Sequence, residues 1–400
     1  MLILITGVAG FLMAFAIGAN DVANSMATAV GAKAITPRQA TIIAGILEFL
    51  GAVLFGSHVA ATITRGIVKP EVIPSSNVLI AGALAALTSS FVWVIAATLW
   101  GMPVSTTHSI VGGMMGFGLA AAGWKAINWQ KMIPIVSSWV LSPLVGGLLA
   151  YVTFKSLSVF VLKRPSPRKA AIKATPVIVL ITIFIISFLF CLKTLKIPFL
   201  RSFTYSILLA APTSIVTSIL LKVNKNSPRS DIEYVENIFK NIQVMTSCYM
   251  ALSHGANDVA NAIGPLAVVY LVVKTGLLTQ TAEIPIWTLM IGGLGISLGV
   301  LLLGYKVMKT IGTSITELTN TRGFCIDFSA ASTVLIASVL GMPISTTHTV
   351  VGAVVGVGLA RGVEVVNVGV LKNIVLSWLL TVPLAAGLSA ILFELFIKIV

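Results

Sequence analysis

Two ionisable residues in apolar surroundings, Asp21 and Asp258, sit within the same seven-residue string, Gly-Ala-Asn-Asp-Val-Ala-Asn, at residues 18–24 and 255–261. Asn20 and Asn257 precede the acids, and Asn24 and Asn261 follow them at i+3, so on a helix each carboxylate shares a face with a carboxamide. An acid inside an apolar helix is costly unless it faces a cavity or a partner. No Arg or Lys lies near either acid in sequence or repeats with the string, so the implied partner is a bound cation. Carboxylate and amide oxygens, joined by carbonyls that local unwinding at Gly18 and Gly255 would free, are hard ligands suited to an alkali ion. The competing reading is a hydrogen-bond cluster that serves helix assembly.

A second pair of strings carries hydroxyls. GMPVSTTHSIVGGMMGFGLA at 101–120 returns as GMPISTTHTVVGAVVGVGLA at 341–360, with 13 of 20 positions identical. Proline suits the entry of a helix, and the Ser/Thr cluster after it supplies capping oxygens while leaving N–H groups at the new helix start. Such a terminus attracts anions. Ser105, Thr106 and Thr107 would form one half-cup and Ser345, Thr346 and Thr347 the other, enclosing a small tetrahedral oxyanion between them. The alternative is that the hydroxyls only cap broken helices. His108 and His348 follow directly, and loop orientation, packing and substrate contact are all open to them. Two acids lack a repeat mate: Glu48 in AGILEFLGA and Asp327 in FCIDFSAAS, each a candidate for a further cation or proton group, with Asp327 alternatively at the inner boundary. His254 precedes only the second acid string, where the first has Ile17, and is read as structural.

The elements that hold these residues follow from composition. The chain has 400 residues, 57% hydrophobic and 10% charged, with mean hydropathy +1.03, whereas soluble domains carry about 25% charged residues. It reads as an integral membrane protein. Apolar runs such as 176–192 are continuous and do not alternate with period two, which selects helices over a β-barrel. The opening MLILITGVAGFLMAF has no basic flank and reads as part of the first helix. Cys191, Cys248 and Cys325 have no metal-ligand spacing and read as small buried hydrophobes. A net charge of +14 invites nucleic acid, but the basic residues occupy short connections without interleaved aromatics, so membrane orientation explains them and no nucleic-acid partner is expected. Neither a phosphate-binding nucleotide loop nor a nucleophile elbow is present, which argues against an ATP-driven pump or an intramembrane hydrolase. The recurrence of Ser105 with His108 as Ser345 with His348 favours a symmetric binding site over a nucleophile.

The duplication divides the chain into repeat one (1–160), a connector with basic loops and two spans (161–234), and repeat two (235–400). Each repeat is expected to hold a first helix with the acid string, a second apolar helix, a re-entrant hairpin broken at GMPxSTTH and a last helix, so that it crosses the bilayer three times. Three crossings plus two connecting spans invert repeat two relative to repeat one. The loops at 163–173 and 222–230 then lie in the cytoplasm and both termini outside, which puts 17 basic residues inside and 9 outside.

With both doubled strings in view, the chain resembles the PiT family of inorganic phosphate transporters, cation-coupled symporters, over nearly its whole length. The resemblance implies an all-α membrane fold of two inverted repeats with about twelve helical segments, and a homodimer in the plasma (inner) membrane. It further implies phosphate held by Ser105, Thr106, Thr107, Ser345, Thr346 and Thr347 with Asn24 and Asn261 nearby, and co-transported sodium bound by Asp21 and Asp258. Asn20 and Asn257 beside them, and Glu48, complete the expected sodium ligands. Proton coupling or a sulfate substrate on the same fold is the runner-up, and an anion channel the reading from a different class. An acid in the cup favours phosphate over sulfate, because phosphate keeps a proton to donate and sulfate does not. The short central loop leaves no room for a regulatory cytoplasmic domain.

Overall fold

The computed structural model describes residues 2–223, 230–275, 284–311, 318–362 and 368–399, which are nearly all helical. Of the basic connection at 222–230, residues 224–229 lie outside the described residues. Repeat one supplies α1 (Leu2–Gly31), α2 (Pro37–Phe55), α3 (Ser57–Gly66), α4 (Ser76–Leu99), α5 (Thr106–Ala122) and α6 (Trp129–Leu157). The connector supplies α7 (Pro167–Leu189) and α8 (Phe199–Val223). Repeat two supplies α9 (Asp231–Thr275), α10 (Ile286–Ile311), α11 (Asn320–Val339), α12 (Thr346–Arg361) and α13 (Val368–Phe396). Twelve of these thirteen helices match the expected segments; the additional one, α3, stands between the second apolar helix and the hairpin. Ten of the described helices, all except α3, α5 and α12, are long and apolar enough to cross a membrane. The chain is a multi-span membrane protein.

The two arms of each hairpin, α4 with α5 and α11 with α12, are joined by a tip whose sequence dictates its shape. Gly101 and Gly341 adopt φ of 70° and 72°, a left-handed conformation that only glycine enters freely. Their N–H groups bond the carbonyls of Thr98 and Ser338, and the next N–H groups, of Met102 and Met342, reach back to Ala97 and Ala337. This doubled closure satisfies the last carbonyls of α4 and α11. Proline follows and prevents the helix from resuming, until Ser105 and Ser345 cap α5 and α12 by accepting the N–H of His108 and His348 at 3.2 Å. Pro103 and Pro343 therefore lie in the tip, two residues ahead of the caps, and not at the helix entry that their sequence suggested.

The repeats interlock by exchange. Helix α1 packs against α10 and α9 against α2, while α5 packs against α13 and α12 against α6. The glycine of each acid string makes the first exchange possible. A Cβ on Gly18 would overlap the carbonyl oxygen of Ile296, and one on Gly255 the carbonyl oxygen of Glu48. Both helices run unbroken through the string. The expected unwinding at Gly18 and Gly255 does not occur, because these glycines serve close backbone approach and not helix interruption. Gly18→Ala or Gly255→Ala will push the helices apart and lower stability by roughly 1–3 kcal/mol, which thermal unfolding of the detergent-solubilised protein will report. Helices α7 and α8 pack on each other at the periphery, largely exposed.

Candidate functional site

The acid strings lie mid-way along α1 and α9, and the hairpin tips meet them there. Asn20 holds the first tip: its Nδ2 donates to Met102 O (3.1 Å) and Thr98 Oγ1 (2.9 Å), and its Oδ1 accepts Val104 N–H (3.2 Å). Asn257 holds the second through Nδ2 to Ile344 O at 2.8 Å. The tips in turn touch each other, with the Thr107 hydroxyl donating to Ile344 O (3.1 Å) and the Thr347 hydroxyl reaching Val104 O (3.5 Å). All of these side chains are buried.

Within this junction each acid binds the hairpin of its own repeat. Thr106 Oγ1 donates to Asp21 Oδ2 and Thr346 Oγ1 to Asp258 Oδ2, both at 2.8 Å. The asparagines at i+3 cross over to the other repeat: Asn24 Nδ2 donates to Thr347 Oγ1 (2.9 Å) as well as to Asp21 Oδ1 (2.9 Å), and Asn261 Nδ2 donates to Thr107 Oγ1 (3.2 Å). Thr347 also donates to Asp21 Oδ1 at 3.3 Å. Asp21 is thus in touch with both tips. Twelve side chains singled out in the doubled strings are gathered in one buried volume, with Ser105 and Ser345 at its edge as helix caps.

Two further residues join them. His254 places Nε2 2.8 Å from Asp258 Oδ2 and 3.8 Å from Asp21 Oδ2, while Nδ1 lies 3.0 Å from Glu48 Oε2. Asp21, His254 and Asp258 each present a ligand atom within 4.8 Å of the others. Glu48 also accepts the Ser25 hydroxyl at 3.0 Å. The structural reading of His254 is therefore corrected: it bridges the acids and Glu48, and the acids do have one basic neighbour. Sequence signalled this only weakly, as a polar residue standing where the other repeat has isoleucine. The exchange of contacts sharpens that signal, since Gly255 sits on Glu48 and Gly18 on Ile296. A His254–Glu48 pair in one half corresponds to an Ile17–Ile296 pair in the other.

Asp327 lies elsewhere. Its carboxylate, buried between α1, α9 and α11, accepts from Thr28 Oγ1 (2.7 Å) and Ser247 Oγ (2.6 Å). His108 and His348 stand behind the tips, away from the acids, with ring centroids 4.5 Å apart and 3.9 and 3.5 Å from Trp139 and Trp378 respectively.

A membrane protein whose two repeats gather carboxylates, carboxamides and helix starts at its centre fits the transporter class. The chain belongs to the phosphate transporter family, whose model matches residues 17–389, and the family consists of transporters and not enzymes. A solved structure titled "The sodium-dependent phosphate transporter" is 55% identical, with a TM-score of 0.96 and full coverage of both chains. A Pyrococcus furiosus relative, "Putative phosphate permease PF1020", is 53% identical over 98% of this chain and 96% of its own length. The chloroplastic inorganic phosphate transporter 2-1 of Arabidopsis thaliana is 42% identical over 98% of this chain and 71% of its own.

Proposed function

We propose that the protein imports inorganic phosphate across the plasma (inner) membrane, coupled to sodium, by alternating access of the central site. The observation that carries this reading is the junction of two hydroxyl-lined helix starts with Asp21 and Asp258. Thr106, Thr107, Thr346 and Thr347, with Asn24 and Asn261, donate to phosphate in place of the bonds that now join the tips to each other, to the acids and to the asparagines. Ser105 and Ser345, whose oxygens accept the cap bonds, keep a hydroxyl proton for the anion. Sodium binds at Asp21 and Asp258, with Asn20, Asn257 and Glu48 as the neighbouring oxygens. Three carboxylates against one imidazole leave the centre negative, so phosphate enters a site that cations have first neutralised. Sodium and phosphate must therefore strengthen each other's binding reciprocally. Measuring phosphate affinity at several sodium concentrations, and sodium affinity with and without phosphate, tests this. Equal affinities throughout would rule it out.

The proton-coupled alternative has its own support in His254, which meets a carboxylate with each ring nitrogen. Under that reading phosphate affinity follows pH and ignores sodium. Sulfate and channel readings are disfavoured, the first by acids that would meet an anion without a proton to donate, the second by hairpin tips that touch each other and leave no continuous pore between them.

The transport halves, 1–160 and 235–400, lie inverted about the connector, with both termini extracytoplasmic, and the protein forms a homodimer in the bilayer. A cysteine at Leu4 and one at Lys163, both exposed in the structure, will react with a membrane-impermeant maleimide from opposite sides. Labelling of both from one side would remove the inverted arrangement.

A further inference from the structure

The hairpins are alike in sequence, yet their histidines are differently anchored, and the difference originates in the register of one proline. Behind each half-cup a histidine contacts a backbone carbonyl of the last helix of the other repeat: His348 Nδ1 lies 3.1 Å from Trp139 O, and His108 Nδ1 lies 3.4 Å from Trp378 O. A carbonyl only accepts, so Nδ1 carries the proton in both. In α6 the residue four positions after Trp139 is Pro143, which has no N–H to return to that carbonyl, so Trp139 O is free for His348. In α13 the matching proline, Pro383, comes one residue later because SWLLTVP replaces SWVLSP. Val382 then stands four positions after Trp378, and its N–H competes for the carbonyl that His108 approaches.

Both hairpins have further anchors: Asn20 holds the first with three bonds and Trp93 Nε1 of α4 donates to Thr381 Oγ1 of α13 at 3.4 Å, while the second tip is met from α3 and α6. Thr62 Oγ1 of α3 donates to Gly341 O at 2.6 Å, and Ser138 Oγ of α6, which bonds Ile135 O of its own helix at 2.6 Å, also lies 3.1 Å from Pro343 O in the second tip. Ser377, the counterpart of Ser138, donates only within its own helix, to Ile374 O.

We propose that His348 is a positioning residue of the transport site: through the carbonyl that Pro143 frees, it pins the α11–α12 hairpin to α6 and fixes Thr346 and Thr347, a link that His108 makes only weakly for the α4–α5 hairpin. The role assigned to the threonines rests on the transport reading above; the difference in anchoring does not.

Hydrogen exchange of the protein without phosphate, read separately over 341–349 and 101–109, reports the anchoring of each tip alone. His348→Ala will speed exchange in the second tip and weaken phosphate binding roughly threefold to tenfold, the worth of one hydrogen bond. His348→Asn, which keeps a donor near the Nδ1 position, will restore both. Pro143→Ala, which returns an N–H to the Trp139 carbonyl, will act in the same direction as His348→Ala, and the two will combine less than additively. His108→Ala will shift either readout by less than about twofold, as a contact of 3.4 Å allows. Equal effects of the two histidines, or no rescue by Asn, would overturn the proposal. Should His348→Ala not fold, His348→Asn and Pro143→Ala decide it: Asn must behave as wild type and Pro143→Ala must loosen the second tip only. Absence of phosphate binding in the wild type would instead remove the transport reading and leave the exchange comparison standing.

Discussion

Asp21→Asn will uncouple phosphate from sodium. The substitution keeps the shape of the side chain and removes the charge that touches both tips, through Thr106, Asn24 and Thr347. Like charges about 4 Å apart at an effective dielectric of ~20 repel by about 4 kcal/mol, so an ionised acid without its cation holds phosphate out, and a sodium ion reverses the sign. The variant should therefore bind phosphate no worse than wild type without sodium, yet fail to gain affinity as sodium rises. Sodium-driven uptake should fall by roughly 100-fold, the fold-change that about 3 kcal/mol of such coupling represents. Asp258→Asn should be milder, because His254 lies 2.8 Å from Asp258 and 3.8 Å from Asp21 and already offsets part of the Asp258 charge. Titrating phosphate binding against sodium in both variants reads this order directly. A variant of Asp21 that keeps the full sodium response would move the cation site away from α1.

The second large effect concerns the hydroxyls. Thr107→Val and Thr347→Val preserve volume and delete a donor from a buried anion site, and each should weaken phosphate binding by roughly 1–3 kcal/mol. The double variant should lose most measurable uptake while still folding, since neither hydroxyl caps a helix; the caps are Ser105 and Ser345. Because Asn24 donates to Thr347 and Asn261 to Thr107, the single effects should couple to those of Asn24→Ala and Asn261→Ala. Unchanged uptake kinetics in the double variant would reduce the cups to helix ends.

Much of this site was legible because the polar residues of an apolar chain recur in pairs, and pairing separates a shared site from incidental burial. The break at Gly-Met-Pro and the caps at Ser105 and Ser345 were likewise local chemistry, readable from residue type. What escaped depends on partners distant in sequence. His254 has no repeat mate, so its place between Asp21, Asp258 and Glu48 appears only when α2 is laid on α9. Gly18 and Gly255 read in sequence as points of unwinding, because a glycine that admits a neighbouring backbone and one that breaks a helix look the same there. The one-residue shift of Pro383 against Pro143 is visible in the text of the chain, but has no meaning until the Trp139 and Trp378 carbonyls are seen to face the hairpin histidines.

The central claim is that sodium at the buried acids admits phosphate to the paired hairpin tips. Uptake of labelled phosphate into proteoliposomes, with an inward gradient of sodium, potassium or protons imposed in turn, tests it most directly. Phosphate is expected to accumulate with sodium and not with potassium or with a proton gradient alone. Accumulation driven by protons and indifferent to sodium would contradict it.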